Sequence, residues 1–102
     1  MSKEIIFIPE ALDEARDAYT WYEENEAGLG EDFYRALSVA ISYITRNPDA
    51  PRKVFRTYRR ILLRRFPYAV FYRNDDMAIY IYSVFHCSQD PMKWKKRFKK
   101  IS

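Results

Sequence analysis

The spacing of apolar positions changes along the chain from a helical period to a strand period. After a short apolar strand at 4–8, apolar residues recur at helical spacing from 10 to 26. Gly28-Leu29-Gly30 interrupts this pattern, and a second helical stripe continues to Arg46, where Asn47-Pro48-Asp49-Ala50-Pro51 ends it. The first half of the chain therefore predicts a strand followed by an antiparallel helical hairpin.

The second half is rich in β-branched and aromatic residues, which favour strands. We expect a weak edge strand at 53–57, a central antiparallel pair at 58–65 and 68–73, and a long strand at 77–85. Strict alternation in the long strand places Ile79, Ile81 and Ser83 on one face and Val84 on the other. Asp90-Pro91 has the form of a helix start, so a short terminal helix is predicted.

This order of elements predicts an α+β fold. It consists of an N-terminal strand, an α-helical hairpin, a mainly antiparallel four-stranded sheet and a short C-terminal helix. A chain of 102 residues is expected to form a single domain, residues 1–102. No apolar run approaches the roughly 18 residues of a membrane span, and the first residues lack a signal-peptide pattern. We therefore expect a cytoplasmic protein without a membrane partner.

The net charge of +4 hides an asymmetry between the two halves. Residues 1–51 hold four Lys/Arg and eleven Asp/Glu, whereas residues 52–102 hold fourteen and three. Such polarity indicates an acidic partner or nucleic acid for the basic half. The alternative is that the two halves face each other and neutralise part of their charge.

Arginines are densest where the apolar run is also densest, from Arg59 to Arg73. Arg59-Arg60 and Arg64-Arg65 bracket Ile61-Leu62-Leu63, so the strand is expected to be buried in its middle and cationic at its ends. The planar guanidinium group binds phosphate or carboxylate through two donors at a time. The functional interpretation is a site for phosphate or an acidic partner, and the structural alternative is pairing with the acidic helices.

His86 is the only histidine and ends the predicted long strand. A histidine facing arginines can act as a general acid or base near neutral pH, and the structural alternative is a hydrogen-bonding residue. Cys87 follows it, without a second histidine or a carboxylate that would form a cysteine-nucleophile site. The chain also shows no cysteine or histidine spacing typical of zinc sites, and we expect neither a metal nor a cofactor.

Aromatic residues and lysines extend the candidate binding surface. Tyr68 and Tyr72 interleave with the arginines, a pattern that suits stacking on single-stranded nucleic acid, although core filling is the structural alternative. The terminal helix adds cations that attract phosphate without sequence preference. The candidate binding residues for nucleic acid or an acidic protein are Arg60, Arg64, Tyr68, Tyr72, Arg73, Lys93 and Lys96.

A series of short motifs along the chain resembles the RelE/ParE superfamily of type II toxin–antitoxin toxins, also called plasmid-stabilisation toxins. The motifs are Ala11-Leu12-Asp13-Glu14-Ala15, Trp21-Tyr22-Glu23, Gly28-Leu29-Gly30-Glu31-Asp32-Phe33, Asn47-Pro48, Arg65-Phe66-Pro67-Tyr68-Ala69-Val70-Phe71-Tyr72, and Val84-Phe85-His86 through Asp90-Pro91 and Trp94. The resemblance implies a microbial-ribonuclease-like architecture. It also implies a cognate acidic antitoxin that wraps the toxin and blocks its basic site.

The superfamily divides by mechanism. RelE-like members cleave mRNA in the ribosomal A site without a metal, and this ribosome-dependent cleavage is the leading expectation from the sequence. ParE-like members inhibit DNA gyrase and are not enzymes, which is the first alternative. The second alternative is an inactive relative that only binds its antitoxin.

For RNA cleavage, the resemblance implies roles for three residues. Arg59 and Arg65 would clamp the phosphorane, and His86 would act as the acid or base. The sequence departs from the nuclease pattern at Gln89, where many relatives carry arginine before Asp-Pro. The basic half also offers only Asp75, Asp76 and Asp90 as carboxylates.

Overall fold

A computed structural model describes residues 3–101 and contains five strands and three helices within them. The helices pack on both faces of one sheet. The elements are β1 (Glu4–Phe7), α1 (Pro9–Asn25), α2 (Leu29–Arg46), β2 (Lys53–Phe55), β3 (Tyr58–Leu62), β4 (Tyr68–Asn74), β5 (Ala78–His86) and α3 (Pro91–Ile101). This confirms the predicted α+β class and the predicted order of elements.

The five strands form one mixed sheet in the order β1-β5-β4-β3-β2. The last four strands are antiparallel neighbours, as the sequence predicts. The first strand lies parallel to the last one, with Glu4 opposite Ala78 and Phe7 opposite Ile81. A parallel pair needs a long crossover, and the helical hairpin that follows β1 provides it.

Two apolar cores lie on opposite faces of the sheet. The helical hairpin covers one face with a core that includes Phe33, Ile44 and Tyr72, and α3 covers the other through Trp94 and Phe98. The second core is almost entirely aromatic, with Tyr58 stacked on Phe98 at a centroid distance of 4.4 Å. The second helical stripe expected from the sequence lies on α2, and its residues Phe33, Leu37, Ala40 and Ile44 are buried.

An irregularity between β4 and β5 changes which residues share a face. Phe71 lies opposite Ser83 whereas the next residue, Tyr72, lies opposite Ile81, so β5 carries an extra residue at Tyr82. An extra residue shifts the alternation of all that follow it. Val84 therefore joins Ile81 in the core under the helical hairpin, and the strict alternation expected from the sequence is wrong beyond this point.

The strand expected at 58–65 ends at Leu62. Arg65 has a φ of +70°, a left-handed conformation that is uncommon outside glycine and that a strand does not contain. Leu63 still donates its N–H to the Tyr68 carbonyl at 2.9 Å, so the segment turns back on β4. Arg64 and Arg65 consequently lie in a loop and are exposed, not in the middle of the sheet.

The turn between the two long helices depends on a glutamate from the first helix. The Glu23 carboxylate accepts the N–H of Gly28 at 3.0 Å and the N–H of Gly30 at 2.9 Å, which satisfies donors at the start of α2. Gly28 has a φ of +89°, where glycine has no steric cost. Gly30 is needed for space, because an added Cβ would lie 2.9 Å from the Tyr19 ring and its carbonyl oxygen.

A carboxylate from α1 binds the edge of β5 beyond Ile81, where β1 no longer pairs with it. Glu14 accepts the Ser83 hydroxyl and the Val84 N–H, each at 3.0 Å. It also forms an ion pair with Arg97 of α3, with 3.1 Å between Nη1 and Oε2, and Arg97 donates to the Tyr82 carbonyl. We call these contacts the Glu14–Arg97 clasp. They connect the helices on the two faces of the sheet.

Across residues 3–101, none of the three helices has the length and apolarity that crossing a membrane requires.

We predict that Gly30→Ala lowers the free energy of unfolding by about 1–3 kcal/mol, because the new methyl group overlaps the Tyr19 ring and backbone. Chemical denaturation monitored by circular dichroism measures this. Gly28→Asn is the matched control, since that position is open and asparagine tolerates left-handed backbone. An equal or greater loss in the control would contradict the steric explanation.

Candidate functional site

Arg59, one of the three residues expected to act in catalysis, holds a loop. Its Nη1 donates to the carbonyl of Asp49 at 2.9 Å and to the carbonyl of Pro51 at 2.7 Å. Its Nη2 lies 3.5 Å from the Asp49 carboxylate, and only 15% of its side chain is exposed. The guanidinium group is therefore occupied by the proline-rich segment that ends α2.

Tyr72 is Arg59's cross-strand partner and supports the same loop. Its ring is fully buried, and its hydroxyl donates to the Pro48 carbonyl at 2.7 Å. Burial raises the pKa of Tyr72 to about 12, although the neighbouring Arg59 opposes the shift. The structure places this candidate binding residue in the core, where its ring offers no surface for stacking on a base.

His86 lies at the other end of the sheet, directly opposite Tyr68. The two rings meet edge to face with centroids 5.0 Å apart. The His86 Nδ1 accepts the backbone N–H of Ser88 at 3.0 Å and lies 2.7 Å from the Ser88 hydroxyl. Because Nδ1 accepts a backbone N–H, the neutral ring carries its hydrogen on Nε2.

Tyr68 is half-buried, and burial raises the pKa of its phenol. The hydroxyl therefore keeps its proton at neutral pH and can donate a hydrogen bond. Together with His86 it forms a pair of polar groups where β4 begins and β5 ends. These are two candidate site residues that the structure does bring together.

Arg65 lies near this end of the sheet, in the loop between β3 and β4. Its side chain is 67% exposed, its Nη2 is 3.7 Å from the Asp32 carboxylate of α2, and its guanidinium carbon is 5.4 Å from the centre of the Phe66 ring. The Pro67 carbonyl accepts the N–H of Cys87 at 2.7 Å, which joins this loop to the segment after His86.

The three expected catalytic residues do not form one cluster. Arg59 pairs with Tyr72 and His86 pairs with Tyr68 across the strands, so four residues of β4, about 13 Å, separate the two positions. Arg59 also points to the loop that ends α2. A phosphate held at His86 is therefore outside the reach of Arg59 in this arrangement.

The remaining candidate cations are spread over the sheet and the terminal helix. Arg60 and Arg64 are exposed, as are Lys93 and Lys96 on the outer side of α3. Arg73 is half-buried, with its guanidinium carbon 5.4 Å from the Tyr80 ring centre and 5.9 Å from that of Tyr82. These positions give a broad basic surface and no single pocket for one phosphate.

A groove of about 550 Å³ lies between α2 and the end of β3. Its floor is apolar, and Val39 and Leu62 remain 63% and 58% exposed although both are large aliphatic residues. We call it the α2–β3 groove. It is lined by Asp32, Arg35, Ala36, Val39, Ala40, Tyr43, Ile61, Leu62, Arg64 and Arg65.

Sequence reasoning missed this groove, although the sequence contains a signal for it. Val39 and Tyr43 are four residues apart on α2 and lie outside the buried stripe of that helix. Apolar residues at helical spacing on a second face of a helix indicate a second packing partner. Arg35, Arg64 and Arg65 at the rim favour a partner that carries acidic side chains.

Among residues 3–101, no three or more His, Cys, Asp or Glu side chains come together in a way that would hold a metal ion.

Comparison with known proteins gives three consistent likenesses. The family model described as the ParE toxin of the type II toxin-antitoxin system, parDE, matches residues 5–91. Toxin ParE2 of Mycobacterium tuberculosis, in strains CDC 1551 / Oshkosh and ATCC 25618 / H37Rv, is 32% identical over 80 residues. The alignment covers 78% of this chain and 76% of each relative.

A solved structure described as the chromosomal ParDE TA system from P. aeruginosa has the same fold. It superposes with a TM-score of 0.64 and 16% identity, over 83% of this chain and 96% of that one. The family match extends from β1 through the whole sheet to the first residue of α3. The chain therefore belongs to the ParE toxin family of type II toxin–antitoxin systems, within the RelE/ParE superfamily.

Proposed function

We propose that this ParE-family toxin arrests growth by binding DNA gyrase, without cleaving RNA, and that a cognate acidic antitoxin holds it inactive. The family membership favours the mechanism expected for ParE-like members of the superfamily. A binding function needs a complementary surface and no assembled catalytic cluster, which agrees with the spread of cations over this molecule.

The observation that carries this proposal is the position of Arg59. Stabilising a phosphorane requires cations that point to where the charge develops. Arg59 donates instead to the carbonyls of Asp49 and Pro51, and about 13 Å of strand separates its position from that of His86. The remaining charged groups suit contact with a large acidic or nucleic-acid-bearing surface.

The surface proposed for gyrase lies on the face of the sheet that the basic terminal helix covers. The outer side of α3 presents Lys93 and Lys96, and the sheet adds Arg60 and Arg73 beside it. Several exposed cations on one side of a molecule raise the rate of encounter with a negatively charged partner, and salt weakens this effect.

We propose the α2–β3 groove as the antitoxin-binding surface. Its apolar floor would bury aliphatic side chains of the antitoxin. Acidic residues of the antitoxin would pair with Arg64, and with Arg35 and Arg65 in exchange for their ion pairs with Asp32. An acidic segment with regularly spaced apolar residues has the chemistry that fits both features. Binding there would also cover the loop that bears Arg65.

Ribosome-dependent mRNA cleavage is the second candidate, and the pairing of His86 with Tyr68 is the observation that favours it. The Tyr68 hydroxyl carries a proton that a leaving oxygen could take, the Nε2–H of the neutral His86 ring could donate a hydrogen bond to that oxygen, and Arg65 lies in the adjoining loop. In this candidate, Arg65 and His86 would act without Arg59.

The two mechanisms are separated by parallel assays with one purified preparation. We expect the protein to inhibit supercoiling by purified gyrase and to leave a reporter mRNA uncut in a purified translation reaction with ribosomes. The 5′ ends of the mRNA are mapped after adding wild type, His86→Ala or Arg65→Ala. We expect the His86→Ala protein to keep its activity against gyrase.

Ribosome-dependent cuts that weaken in either variant would replace this proposal with the nuclease mechanism. Protein that affects neither reaction and is harmless when overproduced would indicate an inactive relative that only binds its antitoxin.

Arg59→Lys should lower the free energy of unfolding by about 1–3 kcal/mol, because lysine cannot reach two carbonyls and a carboxylate together. Toxicity per folded molecule should be unchanged. Thermal denaturation and growth assays measure the two effects. The adjacent, exposed Arg60→Lys is the control and should change stability by less than about 0.5 kcal/mol. Loss of toxicity from Arg59→Lys without loss of stability would restore a direct role for Arg59.

Val39→Asp should weaken antitoxin binding by about tenfold or more, because it places a carboxylate in the apolar floor facing an acidic partner. Val39 is largely exposed, so folding should be unaffected. Titration calorimetry with the cognate antitoxin measures the affinity. Met77→Asp is the matched control, since Met77 is 79% exposed and lies outside the groove. Equal affinities for the two variants would exclude the groove.

A further inference from the structure

Three side chains from the part of α3 whose side chains the structure describes, residues 91–99, attach the helix to the rest of the molecule. Trp94 lies against Phe71 with ring centroids 4.6 Å apart, and Phe98 stacks on Tyr58. Arg97 contributes the polar attachment through Glu14. Met92, Lys93, Lys95, Lys96 and Lys99 are exposed. A helix of this length is marginal in isolation, so these attachments decide whether it stays docked.

The helix repels itself electrostatically. The segment from Pro91 to Ile101 contains six Lys/Arg and no Asp or Glu. Lys96 lies three residues from both Lys93 and Lys99, so like charges are neighbours on the exposed side of the helix, which destabilises it. The acidic partner of Arg97 comes from another element, the Glu14 carboxylate of α1.

The two charge effects respond differently to salt. The Glu14–Arg97 ion pair is about three-quarters buried, with 28% and 25% of the side chains exposed, whereas the lysines face solvent. Salt screens exposed charges much more than partly buried ones. Added salt therefore weakens the repulsion among the lysines more than it weakens the clasp.

We propose that α3 is a detachable helix, held by the Glu14–Arg97 clasp against the repulsion of its own lysines, so that rising ionic strength favours docking. Undocking exposes the aromatic face of the sheet beneath it, which includes Tyr58, Phe71 and Phe85. By the same argument, any partner that neutralises the exposed lysines of α3 stabilises the docked state of the helix.

Hydrogen exchange measured by mass spectrometry tests the clasp. In wild type, α3 amides should be better protected at about 500 mM than at about 20 mM sodium chloride. Glu14→Gln should speed their exchange by about tenfold, because it removes the charge that Arg97 binds. Amides of β4, which Glu14 does not contact, report global folding and should change much less. The control is Glu24→Gln, which removes the same charge at an exposed position of α1.

Lys96→Glu tests the repulsion in the opposite direction. It makes the interactions of residue 96 with Lys93 and Lys99 attractive instead of repulsive. At low salt, the α3 amides should therefore exchange more slowly than in wild type, and their exchange should depend less on salt.

Trp94 provides a second readout. In a Trp21→Phe background it is the only tryptophan, and it is buried only while α3 is docked. Acrylamide should quench the Trp94 fluorescence less as the salt concentration rises. It should quench it more in the Trp21→Phe, Glu14→Gln double variant than in Trp21→Phe alone. Equal exchange of α3 in Glu14→Gln and wild type would overturn the proposal, and so would salt that accelerates exchange or quenching.

Discussion

The carboxylate of Glu14 joins the three layers of the molecule, which are the helical hairpin, the sheet and α3. β1 pairs with β5 only as far as Ile81, so the edge of β5 beyond Ile81 has no neighbouring strand on that side. Glu14 accepts the N–H of Val84 and Arg97 donates to the carbonyl of Tyr82, so the ion pair takes the place of the missing strand. Because its two members come from α1 and α3, completing the edge also connects the helices on both faces.

The same residue type serves opposite purposes in this chain, and burial decides which. Arg59 and Arg97 are directed at backbone carbonyls and carboxylates, so their charge is used within the fold. Arg60 and Arg64 are exposed, so their charge is available to a partner. Ion pairs do join the acidic and basic halves of the chain, at Glu14–Arg97, Asp32–Arg65 and Asp49–Arg59. They leave most of the cations of the second half facing solvent.

The sequence predicted the elements well because each has a clear period and a clear end. The helical stripe of α2 and the proline-rich segment after Arg46 are local signals, and the structure follows both. The alternation of β5 failed at Tyr82, because the extra residue is defined by its partner strand β4 and leaves no local trace. Arg64 and Arg65 were assigned to a strand for a similar reason: apolar residues precede them, but the left-handed backbone at Arg65 interrupts the ladder.

The candidate site was harder to predict than the fold, since it depends on distances between elements. The resemblance to the superfamily implied a phosphate clamp formed by Arg59 and Arg65, yet Arg59 turns to the loop at Asp49. The pairing of His86 with Tyr68 follows from the register of β4 and β5. A shift of one residue in that register would move the side chains of the shifted strand to the other face of the sheet. The groove beside α2 arises from two elements that meet only in the folded molecule.

The parallel pairing of the first and last strands also determines when the fold can form. Glu4 and its partner Ala78 are 74 residues apart along the chain, and closing so long a loop has a high entropic cost before any contact rewards it. The hairpin of α1 and α2 can form early from local contacts, but it cannot complete its core until β5 is available. On the ribosome, the native toxin surface therefore appears only after β5 has been synthesised and can pair with β1.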